Sequence, residues 1–205
     1  MPVLPSYIGC VYLHGFLSSP LSQKAQQLIQ YFTEQKMQDQ LLIPVLDFEP
    51  EKAIQQALAA IHSLQQQEGI EQVFVMGSSL GGFYATYLAQ AENIKAVLIN
   101  PAVQPFALFD KYLGPNKHFY DGHTYILEMK HIEQLKALEI EEIFNPYDLL
   151  LLQQTGDETL DYRQACNKYL SCPSWIEAGG THSFENFMAR LDMIFNFIIS
   201  NSRET

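Results

Sequence analysis

Val73-Phe74-Val75-Met76-Gly77-Ser78-Ser79-Leu80-Gly81-Gly82 is the stretch that decides the fold. Four apolar residues run into a G-x-S-x-G pentapeptide, Gly77 to Gly81, with a further glycine at 82. A helical pattern follows from Leu80 to Ala91. The expected structure is a strand, a sharp turn and a helix. A chain that reverses so tightly leaves no room for side chains two residues before and two after the apex, and glycine stands at both places. This register puts Ser79, not the adjacent Ser78, at the apex. Its hydroxyl then projects at the carboxyl edge of a sheet. The Leu80 amide, at the positive end of the helix, can meet an oxyanion there. The competing reading is a glycine-rich turn without chemistry, because the pentapeptide also recurs by chance. The strand before it, the helix after it and Gly82 weigh against that.

Outward from this turn, short apolar runs alternate with longer helical patterns, as in βαβ units around a parallel sheet. Strands are expected at Ile8 to Leu13, Leu41 to Leu46, Gln72 to Met76, Lys95 to Ile99, Leu149 to Gln153 and Ser174 to Glu177. Helices are expected at Leu21 to Met37, Glu51 to Gln67, Leu80 to Ala91, Asp161 to Leu170 and Phe184 to Ile199. Between Pro101 and Pro146 the pattern is irregular, with one helix near His131 to Leu138. The expected architecture is a compact α/β-hydrolase fold. It has a roughly six-stranded, mostly parallel sheet, helices on both faces, and residues 101–146 as a short cap. Residues 1–205 are read as one domain.

A serine hydroxyl is a poor nucleophile until a base takes its proton, and in this fold the order along the chain is Ser, Asp or Glu, His. Leu149-Leu150-Leu151-Leu152-Gln153-Gln154-Thr155-Gly156-Asp157 reads as a buried strand that delivers Asp157 just past its carboxyl end. Glu158 and Asp161 compete for the role of acid. Asp161 suits the N-cap of the next helix. His182 lies in Gly179-Gly180-Thr181-His182-Ser183-Phe184, between the last strand and the last helix. His118, His123 and His131 precede Asp157 and break the order. A lone loop histidine is more often a solvated surface group, but position favours His182 as the base.

The first strand ends in Leu13-His14-Gly15-Phe16-Leu17-Ser18-Ser19-Pro20. Gly15 lets the backbone approach closely, and the Phe16 amide is expected as the second oxyanion donor beside Leu80. His14 precedes the serine and is expected to be a structural hydrogen-bonding group, not a base.

Composition limits the rest. The chain has 205 residues, 23 acidic and 12 basic, for a formal net charge of −11. Such a field disfavours nucleic acid and anionic membranes as partners. No cluster of basic residues is visible that would help a strongly anionic substrate. The odd number of cysteines, Cys10, Cys166 and Cys172, argues against a disulfide framework and for a reducing compartment. No leader segment or run of about 20 apolar residues is visible, so a cytoplasmic protein without a membrane span is expected. The histidines show no metal-ligand spacing, and no metal or cofactor is expected.

With these stations in place, the chain resembles the YqiA/YcfP-type esterases, compact bacterial α/β-hydrolases. The matching stretches are Tyr12 to Pro20, Gly77 to Ala85, Ile99-Asn100-Pro101-Ala102, Leu151 to Glu158 and Gly179 to Phe184. The resemblance implies an esterase of broad specificity for acyl esters or acyl thioesters, with Ser79, Asp157 and His182 as its triad. It supplies no physiological substrate. Phe106, Phe109, Tyr112, Phe119, Tyr120 and Tyr125 in the cap are read in two ways, as the lining of an acyl pocket or as packing onto the sheet, with packing favoured. The alternatives to an esterase are a non-catalytic binding module on the same fold and a peptide or lactone hydrolase using the same residues. The oligomeric state is not readable.

Overall fold

A computed structural model describes residues 3–117 and 124–200. The elements in chain order are β1 (Ile8–Leu13), α1 (Gln23–Glu34), β2 (Leu41–Leu42), α2 (Pro50–Gln65), β3 (Gln72–Ser78), α3 (Leu80–Glu92) and β4 (Ala96–Ile99). There follow α4 (Pro105–Phe109), β5 (Gly114–Lys117), β6 (Thr124–Leu127), α5 (Met129–Ala137), β7 (Leu149–Gln154), α6 (Tyr162–Lys168), β8 (Ser174–Glu177) and α7 (Leu191–Ile199). Six strands form one sheet in the order β2-β1-β3-β4-β7-β8, and every pairing in it is parallel.

A parallel sheet covered on both faces needs strands that are apolar throughout. IGCVYL in β1 and LLLLQQ in β7 are buried at every position. Alternate residues feed opposite cores. Leu149 and Leu151 join Val11, Val75 and Leu98 under α2, α3, α5 and α6. Leu150 and Leu152 join Cys10, Tyr12, Phe74 and Val97 under α1 and α7. Each helix offers the matching stripe: Ala25, Leu28 and Phe32 in α1, and Ala53, Ile54, Ala57, Ile61 and Leu64 in α2. Helix α3 is buried on nearly all sides.

The chain leaves β1 for β2 on one side and returns to β3 on the other. The strand order therefore reverses between β1 and β3, and such a switch point opens a crevice beyond the carboxyl ends of the strands. Leu13 pairs with Gly77, Ser78 with Ile99, Ile99 with Leu152, and Gln154 with Glu177. The register thus brings the strand ends to one rim, and the loops after β1, β3, β7 and β8 emerge together.

Three expectations change in detail. The second strand is only Leu41–Leu42, paired with Cys10 and Val11; a 3₁₀ turn at Gln38–Gln40 precedes it, and Pro44, which has no N–H to donate, follows. The closing helix begins as a 3₁₀ turn at Phe187–Arg190 and becomes α-helical only at Leu191–Ile199. The stretch 101–146 is less irregular than its composition suggested. It holds α4, the antiparallel hairpin β5–β6 and α5. Phe119 and Tyr120, like His118 and His123, lie outside the described residues.

The turn after β3 is where backbone meets backbone most closely. A Cβ on Gly77 would lie 2.0 Å from the Gly81 carbonyl oxygen, and one on Gly81 would lie 2.1 Å from that of Leu13. Alanine ordinarily favours a helix over glycine by about 1 kcal/mol. Gly81→Ala, although inside α3, should instead destabilise the fold by about 3 kcal/mol or more, because the new methyl strikes fixed backbone. Urea unfolding reads this directly, and a variant as stable as the native chain would contradict the contact.

Candidate active site

Ser79 takes φ 57° and ψ −120°, a conformation that non-glycine residues avoid. Such strain costs about 1–3 kcal/mol and persists only where the surroundings enforce it. They do so here. The Ser79 amide donates to the Ile99 carbonyl, and the Ser79 carbonyl accepts from Gly82, Phe83 and Ala102. The apex is thus pinned between α3 and the end of β4, with Ser78 buried as the last residue of β3.

The three residues expected to act together meet at this point. His182 Nε2 lies 3.1 Å from Ser79 Oγ, and its Nδ1 lies 2.8 Å from Asp157 Oδ2. The Asp157 side chain is 0 % exposed and that of His182 is 22 % exposed. Asp157 Oδ1 accepts from the amides of Thr159 and Leu160, so both carboxylate oxygens are occupied. Burial pushes the Asp157 carboxyl up. The hydrogen bond from His182, the Leu160 amide, the imidazole's charge and the Thr159 amide outweigh it and leave the carboxyl below the usual carboxylate range. An ionised Asp157 can accept from an Nδ1–H, the tautomer in which Nε2 would accept from the serine hydroxyl.

The rivals are disposed otherwise. Glu158 accepts the His182 backbone amide at 2.9 Å. Asp161 caps α6 by accepting from the Arg163 amide. His131, in α5 of the cap, is buried beside the Phe48 ring and accepts from the Glu128 amide.

The loop after β1 lies against the elbow. A Cβ on Gly15 would sit 3.2 Å from Ser79 Cβ, tighter than ordinary contact, so a side chain there would press on the serine. Leu80 is the first residue of α3, where an amide has no intrahelical acceptor. His14 Nε2 accepts from the Leu46 amide, and its Nδ1 faces the Gly15 carbonyl at 3.0 Å. This side chain ties the loop to the chain beyond β2. Phe16 packs against Phe109, Tyr112 and Tyr125 with centroid separations of 4.5, 5.8 and 6.5 Å. These three cap aromatics are therefore joined to the β1 loop itself, a contact that neither reading of them anticipated.

Sequence reasoning missed the residues that hold the histidine loop. Asn100 is 0 % exposed. Its Nδ2 donates to the carbonyls of Thr181 and His182, and its Oδ1 accepts from the Gln154 amide. Gln154 Oε1 accepts from the amides of Thr181 and Glu185, at the two ends of the same loop. Two glutamines closing a run of four leucines were the available signal, since a buried amide side chain needs partners.

A cleft of about 330 Å³ opens beside the serine, lined by Tyr12, Gly15, Ser18, Lys24, Ser79 and His182 among others. Among the described residues no helix is long and apolar enough to cross a membrane, and no three His, Cys, Asp or Glu side chains group as a metal site requires.

The lowered Asp157 carboxyl has a consequence for stability. Its contribution is complete above the ordinary aspartate value of about 4 and is lost as the pH falls through the lowered one. The difference in unfolding free energy between the native chain and Asp157→Asn should therefore shrink steadily below about pH 4. Denaturant unfolding across that range checks it, and a difference that widened in acid would reverse the sign.

Solved structures share this architecture. A putative hydrolase from Agrobacterium vitis S4 superposes with a TM-score of 0.71 at 18 % identity, covering 94 % of this chain and 88 % of the other. Est1E from Butyrivibrio proteoclasticus, seen with ferulic acid bound, gives 0.70 at 15 % identity, covering 93 % and 88 %. The esterase Pf2001 from Pyrococcus furiosus gives 0.63 at 15 % identity, covering 93 % and 80 %. Identities this low speak for a common α/β-hydrolase fold. The sequence itself matches the model of an uncharacterised protein family, UPF0227, over residues 9–199. With that match across nearly its whole length, the chain belongs to UPF0227, the YqiA/YcfP esterase family that its motifs resemble.

Proposed function

We propose that this protein is a serine hydrolase that cleaves acyl esters or acyl thioesters through an acyl-enzyme intermediate. The observation that carries the reading is the unbroken hydrogen-bonded chain from Asp157 through His182 to Ser79, with the serine at a strained turn. His182 Nε2 takes the hydroxyl proton as Ser79 Oγ bonds to the carbonyl carbon. The carbonyl oxygen becomes an oxyanion, received by the amides of Phe16 and Leu80. Collapse of this intermediate breaks the bond to the departing alcohol or thiol, which accepts the proton from His182. Water then repeats the sequence on the acyl-serine, with His182 again as base. Asp157 stays ionised throughout and stabilises the imidazolium.

The strain at Ser79 supports this reading over a non-catalytic module, because a turn with no chemistry to perform gains nothing from holding a serine at positive φ. Hydrolase and esterase neighbours of the same fold accord with it. The free thiols Cys10, Cys166 and Cys172 accord with a reducing, cytoplasmic setting. A small molecule is the partner that a cleft of about 330 Å³ suits.

A fluorophosphonate probe should label the native protein and Ser78→Ala, and should fail to label Ser79→Ala. Labelling retained in Ser79→Ala would identify a different nucleophile, and a folded native protein that resists the probe would favour the binding module. On p-nitrophenyl esters, Asp157→Asn should lower kcat by roughly 10⁴-fold, the scale of losing the correct imidazole tautomer. A loss of less than tenfold would remove Asp157 from the mechanism.

A further inference from the structure

The leaving group of an ester must sit beside His182 Nε2, which hands it a proton. The cleft that His182 and Ser79 share is therefore where it departs, and the lining is unusual for so acidic a protein. Among the described residues lining it, Lys24 is the only lysine or arginine, and none is a carboxylate. The rest is uncharged and mostly polar or small, including Ser18, Ser22, Gln23 and Ser183. Lys24 Nζ donates to the Ser183 carbonyl at 2.6 Å, which holds the ammonium next to the histidine loop, and its other two N–H donors have no partner among the described residues. No carboxylate pairs with it among the described residues. It also stands in the first turn of α1, where free amides and the helix dipole add to a positive potential. Against a net charge of −11, a lone cation without a carboxylate beside it in the cleft lining favours an anion there.

We propose that Lys24 forms an anion subsite on the leaving-group side of the cleft, selecting esters or thioesters whose departing group carries a carboxylate. The proposal rests on the serine-hydrolase reading above. A single lysine matches a single negative charge. A phosphate dianion would call for further cations or an arginine fork, and the cleft offers neither. Burial pushes the Lys24 ammonium down to about 8. The other titratable groups lining the two clefts that meet at Lys24 are Tyr12, His182 and Glu185.

The test compares 4-carboxyphenyl acetate with its neutral methyl ester. In Lys24→Met the ratio of kcat/KM for the charged over the neutral ester should fall about tenfold, the scale of one charge-assisted hydrogen bond, and Lys24→Arg should restore it. In the native protein the ratio should decline as the pH rises through about 8, because kcat/KM reports the free enzyme. Monophenyl adipate, whose carboxylate lies on the acyl side, should show no dependence on Lys24. An unchanged ratio in Lys24→Met, or a loss confined to the adipate ester, would overturn the proposal. Binding of 4-hydroxybenzoate to Ser79→Ala, followed by NMR titration, reads the subsite without turnover. Affinity there should drop about tenfold when Lys24→Met is added, and equal affinities would refute the subsite. If the native protein hydrolysed neither ester, the hydrolase reading would fail and the titration would still decide the subsite.

Discussion

Three pieces of main chain share one small volume at the head of the sheet, and everything at the candidate site depends on their fitting together. The end of β1, the turn after β3 and the start of α3 approach until carbonyl oxygens occupy the space where side chains would begin. This contact sets the distance between the two amides that would receive an oxyanion. It also sets the direction in which Ser79 points. No side chain could do as much, because rotamers relax and a packed backbone does not.

The other half of the site is assembled differently. Asp157 and His182 come from loops after β7 and β8, and loops have no intrinsic geometry. They gain one here through hydrogen bonds. Asn100 and Gln154 hold the histidine loop from below, Glu158 holds the His182 amide from the side, and the amides of Thr159 and Leu160 orient the aspartate. The side chains of Asn100, Gln154 and Asp157 are all engaged, which makes the loop specific in position without making it apolar. Electrostatics follow the same plan. The carboxylate is buried deeply enough to act strongly on the imidazole, and it is kept charged by donors that cost nothing further at the moment of reaction.

Much of this was legible in the residues. The apolar runs of β1, β3, β4 and β7 and the glycine register around Ser79 specify the sheet and its elbow. The chain order of Ser79, Asp157 and His182 then needs only parallel strands to bring them to one rim. What escaped was whatever depends on pairing across the sheet. β2 pairs at two positions only, and the apolar run Leu41 to Leu46 hid the proline at 44 that cannot donate to a ladder. The hairpin β5–β6 contains proline and few β-branched residues, so local propensity hides it. Asn100 and Gln154 read as strand-end polar residues until tertiary structure supplies their partners. Glu158 was weighed as a rival acid and serves the same histidine through its backbone. Lys24 was one unremarkable charge in a helix until α1 was laid beside the nucleophile.

The tilted and edge-on packing of Phe109, Tyr112 and Tyr125 against Phe16 gives the cap a second allegiance. An insertion that touched only the sheet could be exchanged between relatives as a module. This one cannot, because its rings hold Phe16, whose amide is the proposed second oxyanion donor. Grafting a foreign cap onto this scaffold would require a matched partner at position 16, and diversification of specificity in such proteins is then a correlated change at two places in the chain.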